Sequence, residues 1–175
     1  MAGDERAAPV ALTRTILLGG AGFTVATAGL AIGRSFGAAG VLAFLGAALL
    51  LVGGRRAHRG AGAHAERMLD ALLDRLWDGI VLGAIAWATR DDRPSVSVAA
   101  LGALGGSFLS SYIRARGASL GYAVEEGPLT RGLRYGLVAA GLLAARPLVP
   151  LWTVAAMSAL AALIRSSQVL KEEWL

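Results

Sequence analysis

Three aspartates, Asp70, Asp74 and Asp78, recur at intervals of four within an otherwise apolar stretch, and Glu66 precedes them by the same step. On a helix each step of four turns the side chain by only about 40°, so the carboxylates stack along one side. An aspartate at membrane depth costs roughly 2.5–3.5 kcal/mol on insertion scales, so three on one helix require a reason. Carboxylates in this arrangement suit oxygen-liganded divalent ions such as Mg²⁺ or Mn²⁺ and, beside a metal, a general base. They equally suit ion pairs with Arg75 or a neighbouring arginine. Other chemistry is scarce. The chain has no cysteine, which excludes disulfides, thiolate metal sites and cysteine nucleophiles, and its two histidines, His58 and His64, are too few for a zinc site without added carboxylates.

The elements that must carry these residues are membrane helices. Of 175 residues 55% are hydrophobic and 17% charged, where a soluble domain carries about a quarter charged. A span needs roughly 20 apolar residues. Candidates run from about Ile16 to Ile32, Phe36 to Val52, Met68 to Ala88 (the aspartate-bearing one), Val96 to Ile113, Leu133 to Ala145 and Leu148 to Ile164, the last two parted by Arg146-Pro147. The reading is an all-α, polytopic membrane protein: one transmembrane domain over 1–175, a bundle of about six helices, with a short N-terminal segment over 1–14. Small-xxx-small pairs at Gly29/Gly33 and Gly102/Gly106 predict close helix packing. No small-residue cleavage site follows the first apolar core, so that span reads as retained.

The formal charge is +5, but the basic residues lie between apolar stretches and form no single stripe, which argues against nucleic acid. They serve as topology signals. With the N-terminus cytoplasmic, twelve basic residues fall on the inner side and four (Arg34, Arg90, Arg93 and Arg146) on the outer. The expected location is a bacterial cytoplasmic membrane.

The stretch Leu69-Asp70-Ala71-Leu72-Leu73-Asp74-Arg75-Leu76-Trp77-Asp78-Gly79 resembles the second half of the signature of CDP-alcohol phosphatidyltransferases, D-x-x-D-G-x-x-A-R followed after eight or nine residues by G-x-x-x-D-x-x-x-D. Ser111-Tyr112-Ile113-Arg114-Ala115-Arg116 is similar to the S-Y-x-R-A-R segment of these enzymes, and Leu129-Thr130-Arg131-Gly132-Leu133-Arg134 sits where many carry an E-R-P-E-R-like segment. The resemblance implies transfer of a phosphatidyl group from a CDP-linked lipid donor to a small alcohol acceptor, with CMP released, in phospholipid biosynthesis. It implies Asp70 as a metal ligand, Asp74 as ligand and catalytic base, and Arg114, Arg116, Arg131 and Arg134 as contacts to anionic substrate groups. A homodimer is also implied.

The sequence departs from that pattern. No Asp or Glu occurs between Glu5 and Glu66, so the second span supplies no carboxylate, and Glu66 stands where the signature has its second glycine. The expectation is therefore that Mg²⁺ or Mn²⁺ is lost or held as a single ion, with Glu66 and Asp78 as weak substitute ligands and Arg55 or Arg56 as a neutralising charge. Two other functions stay open: a non-catalytic family member that pairs with a partner or binds lipid headgroups, and a small transporter using the aspartates as an ion or proton relay.

Overall fold

The computed structural model describes residues 4–59, 64–122 and 130–172. Among these every regular element is helical. α1 spans Asp4–Ile32, α2 Phe36–Arg59, α3 His64–Trp77, α4 Gly83–Thr89, α5 Pro94–Ser119, α6 Arg131–Leu143 and α7 Leu148–Glu172. A π-helical turn, Asp78–Leu82, joins α3 to α4, and the residues at both junctions keep right-handed helical dihedrals, so the three pieces run on as one rod. Six rods result.

Four stretches are long and apolar enough to cross a membrane: Val10–Ile32, Phe36–Arg59, Pro94–Ser119 and Leu148–Gln168. The other two rods carry the site. α3 is the polar, strongly amphipathic one, and α6, at 13 residues, reaches roughly 20 Å. The expected spans coincide with the rods, which begin earlier or run on past the apolar windows because helical hydrogen bonding continues into polar ends. Part of the N-terminal segment 1–14, and the stretch leading to Thr130, lie outside the described residues.

Small residues line many of the helix contacts, beside buried Leu17, Leu50 and Ile85, while many large apolar side chains face outward. Ala31, Ala39, Ala43, Ala99, Ala100 and Ala103 are buried between helices, whereas Leu18, Val25, Phe44, Trp87, Leu101, Val149 and Leu163 are exposed. That arrangement suits lipid, where association depends on close backbone packing rather than on expelling water. α1 packs on α2, α5 on α7, and α2 on α6. Gly106 illustrates the constraint on α5: a Cβ there would lie 2.9 Å from Ser158 Cβ on α7. The pair Gly102/Gly106 thus serves α5–α7 contact, while a Cβ at Gly29 would meet nothing within 4 Å. Gly29/Gly33 instead forms the end of α1, where Gly33 N–H donates to the Gly29 carbonyl at 3.0 Å and Ser35 N–H to that of Leu30 at 2.9 Å.

The chain reversals at the end away from the aspartates are tied together. Arg34, in the left-handed region at φ 62°, closes the α1–α2 turn, and its guanidinium grips Asp92 between α4 and α5 at 3.0 and 3.3 Å. Between α6 and α7, Ala145 adopts φ 51° and Arg146 N–H donates to the Gly141 carbonyl at 2.9 Å. Pro147, which lacks an N–H, then begins the next approach.

Candidate functional site

The i, i+4 column that runs along α3 into the π-helical turn is buried along its whole length: Glu66 is 3% exposed, Asp70 2%, Asp74 8% and Asp78 0%. The carboxylates do not act together. Glu66 turns toward α1 and accepts from Arg14 Nε at 2.7 Å, which ties α3 to the first helix. Its carboxyl is held below the ordinary glutamate range by a hydrogen bond to its own backbone amide, and secondarily by Arg14. The other three face the N-terminus of α6.

That terminus presents Arg131, Arg134 and Tyr135 in its first turns, after Thr130 caps the helix by accepting from Leu133 N–H at 3.3 Å. Two cations at a helix N-terminus oppose the helix dipole, so their placement requires opposing negative charge. The aspartates provide it. Arg131 grips Asp70 with both terminal nitrogens, at 2.7 and 3.0 Å, and sets its Nε 3.1 Å from Asp74 Oδ1. Arg134 donates to Asp74 Oδ1 at 2.7 Å and places its Nε 2.8 Å from Asp78 Oδ1. Tyr135 adds its hydroxyl to Asp74 Oδ1 at 2.7 Å, and its ring lies 4.1 Å from that of the buried Trp77. From within α3, Arg75 pairs closely with Asp74 Oδ2, lies 3.2 Å from Asp78 Oδ2 and donates to the Ser107 carbonyl at 3.0 Å. Three carboxylates thus meet three guanidiniums.

Above the column lies a cavity of about 610 Å³, bounded by α2, α3, α5, α6 and α7. Six arginines (Arg55, Arg75, Arg114, Arg131, Arg134 and Arg165) line it against two aspartates, Asp70 and Asp74. On the wall opposite α3, Arg165, only 7% exposed, donates to the Ser110 carbonyl at 2.8 Å and pairs with the Ser110 hydroxyl. Ser107 and Ser158 approach at 3.5 Å between α5 and α7. His58, on α2, faces its own Gly54 carbonyl at 2.9 Å and stands 4.0 Å from Asp70. A basic, serine-lined cavity is shaped for phosphate groups, which guanidinium recognises through paired N–H donors.

Against the sequence expectations, Asp70, Asp74, Arg114, Arg131 and Arg134 are brought to one cavity, whereas Arg116 is exposed outside its lining. Glu66 is diverted to Arg14, and Asp78 sits below the cavity floor, so neither substitutes for a missing ligand. The neutralising charge comes from Arg75, Arg131 and Arg134 and not from Arg55 or Arg56. The reason is geometric: the α6 terminus projects its arginines across the column, while Arg55 and Arg56 are exposed at the end of α2. Sequence reasoning does not reach Arg165, Ser107 or Ser110, although the signal is present as an arginine near the end of an apolar helix and as serines at helical spacing before Ser111.

A divalent cation does not fit this donor set. Both Asp70 oxygens are taken by Arg131, and Asp74 accepts from Arg134 and Tyr135 on Oδ1, with Arg131 Nε 3.1 Å away, and from Arg75 on Oδ2. A carboxylate has about four lone-pair sites, so little remains for a hard ion that needs six or more oxygens. Among the described residues no group of three or more His, Cys, Asp or Glu is gathered as a metal site.

No family model matches the sequence. Individual relatives do. Phosphatidylinositol phosphate synthase of Mycolicibacterium smegmatis is 36% identical over 127 residues, which cover 70% of this chain and 57% of the relative. The enzyme of the same name from Corynebacterium glutamicum is 37% identical over 108 residues, covering 59% and 49% respectively. The chain therefore spans about half the length of these curated relatives. Crystal structures of Mycobacterium tuberculosis phosphatidylinositol phosphate synthase share the fold. One with CDP-DAG bound aligns with a TM-score of 0.75 at 24% identity over 92% of this chain and 85% of that one. Another, in complex with manganese and citrate, aligns with a TM-score of 0.76 at 24% identity over 93% and 82%.

Proposed function

Since the chain belongs, over the stretch that matches, with the CDP-alcohol phosphatidyltransferases, we propose that it is a phosphatidyltransferase-type membrane protein of phospholipid biosynthesis whose cavity receives the phosphates of a CDP-linked lipid. One observation carries the reading: six arginines surround a cavity of about 610 Å³ at the signature aspartates of a membrane bundle. In the reaction of this class the acceptor oxygen forms a bond to the lipid-side phosphorus, the bond to CMP breaks, and the acceptor proton passes to a base. Asp74 is the base the signature resemblance assigns. To act, it must exchange one of its ion-pair partners for the acceptor hydroxyl. Arg114 and Arg165, on the wall facing it, are placed to hold donor or acceptor phosphate.

The reading includes a bacterial inner membrane, a cytoplasmic N-terminus and a homodimer. The cavity lies at the end of the bundle that holds Arg55, Arg114, Arg131 and Arg165, the side rich in basic residues, and substrates built on nucleotides are cytoplasmic.

The saturation of Asp74 by Arg131, Arg134, Tyr135 and Arg75 favours a second reading, a non-catalytic member that binds the headgroup without transferring it. The test is incubation of purified protein in nanodiscs with CDP-diacylglycerol and a panel of polar alcohols and their phosphates. CMP release above a protein-free blank supports transfer. Retained donor with no CMP supports the headgroup binder. Absence of both overturns the two readings together.

A further inference from the structure

We propose that Arg75, Arg131 and Arg134 stand in place of divalent cations in this chain, so that the carboxylate column is balanced in charge without metal. The inference rests on ion-pair geometry and goes beyond the question of whether transfer occurs.

Three observations carry it. The first is stoichiometry: Asp70, Asp74 and Asp78 each lie within 3.2 Å of at least one guanidinium nitrogen, and the three arginines involved balance the three charges. The pairing is also shared, since Arg131 bridges Asp70 and Asp74, while Arg134 and Arg75 each bridge Asp74 and Asp78.

The second observation is the wall where further ligands would have to stand. α2 contributes no carboxylate and instead closes directly on the column. At Gly54 a Cβ would lie 2.6 Å from Asp70 Oδ1 and 3.0 Å from its Oδ2. No space is left between that backbone and Asp70 for an ion with its oxygen shell, whose metal–oxygen distances alone are about 2.0–2.6 Å. The glycine is required here for close approach, and the approach is what shuts the gap.

The third is electrostatic. Adding a divalent ion to a balanced column would leave an excess of two positive charges in a partly desolvated site. Binding would have to expel an arginine that is itself mostly buried, Arg134 being 6% exposed.

The deciding experiment uses the full chain in nanodiscs, freed of metal by chelation and dialysis. Mn²⁺ is titrated and its free, six-line electron paramagnetic resonance signal is followed, while thermal unfolding is recorded with Mn²⁺ and with EDTA. The expected result is an Mn²⁺ signal no smaller than with empty nanodiscs, and one melting temperature under both conditions. A stoichiometric loss of free Mn²⁺, or a melting temperature lowered by EDTA, overturns the proposal. A thermodynamic cycle on Asp70→Asn and Arg131→Gln adds a reading of the pair itself. Mutual pairing predicts that the double variant is destabilised by clearly less than the sum of the single ones, whereas additive effects overturn it. CDP-diacylglycerol binding, scored separately, keeps failure of this inference distinct from failure of the functional reading.

Discussion

Arg134 is where the site is most vulnerable. It is 6% exposed and serves two carboxylates, with Nη2 2.7 Å from Asp74 Oδ1 and Nε 2.8 Å from Asp78 Oδ1. Arg134→Leu keeps much of the apolar stem but removes both contacts. Asp74 would retain Arg131, Arg75 and Tyr135. Asp78, fully buried, would keep only Arg75 at 3.2 Å. Removing one partner of a buried ion pair typically costs about 3–5 kcal/mol, because the remaining charge stays desolvated. Against a total stability on the order of 5–15 kcal/mol that is a large fraction. The assay is thermal or denaturant unfolding in a fixed detergent, comparing wild type with Arg134→Leu and with Arg134→Leu combined with Asp78→Leu. Exchanging a buried pair for apolar side chains is often neutral, so the double variant should recover most of the loss. A single variant within about 1 kcal/mol of wild type would place the pair in the class of weak, solvated contacts and refute the reasoning. So would a double variant that unfolds as easily as the single one.

Further expectations follow from neighbouring contacts. Gly54→Ala should weaken the Asp70–Arg131 pair, since its new methyl carbon falls 2.6 Å from Asp70 Oδ1; a melting temperature equal to that of wild type would contradict this. If CMP release is detected, Asp74→Asn should abolish it while Asp78→Asn, below the cavity, reduces it less at equal folded protein; comparable losses would remove Asp74 from the base position. Glu66 has a folded-state pKa below its ordinary 4.5, so its stabilising contribution is present above that pH and fades as pH falls below it. The melting temperature of wild type should therefore exceed that of Glu66→Gln at neutral pH, and the gap should narrow on acidification below 4.5; a gap independent of pH would show that the charge is irrelevant. A cysteine introduced beside Arg56 should be labelled from the cytoplasmic side, and labelling only from outside would invert the topology.

The helices were legible because lipid imposes a simple rule on sequence. A stretch such as Phe36–Val52, with no charge, has few alternatives to a buried or lipid-facing helix. The aspartate column was legible for a related reason: spacing of four fixes a face before any partner is known. Partners were not. Nothing local in Arg131-Gly132-Leu133-Arg134 tells whether its guanidiniums point to a substrate or to Asp70, some 60 positions earlier, because that depends on how α6 docks against α3. Arg55 and Arg56 looked nearer in sequence to the column, yet both are exposed, and the part of α2 that meets Asp70 is Gly54. The turn at Arg34 was likewise invisible, since a positive φ at an arginine is set by its tertiary grip on Asp92 rather than by preference.

Charge balance links the two departures that the sequence displays separately. A column of aspartates within a membrane bundle must be neutralised, and the means are either bound cations or basic side chains. Here α2 contributes Gly53 and Gly54 in that region and no acid, so the remaining three carboxylates can be met by guanidiniums alone. Arginine is suited to this because its planar fork serves two carboxylates at once, as Arg131 and Arg134 both do. Lysine, a point charge, would not bridge in this way, and the chain uses it only once. The absence of acid on α2 and the inward turn of α6's arginines are thus two sides of one electrostatic solution.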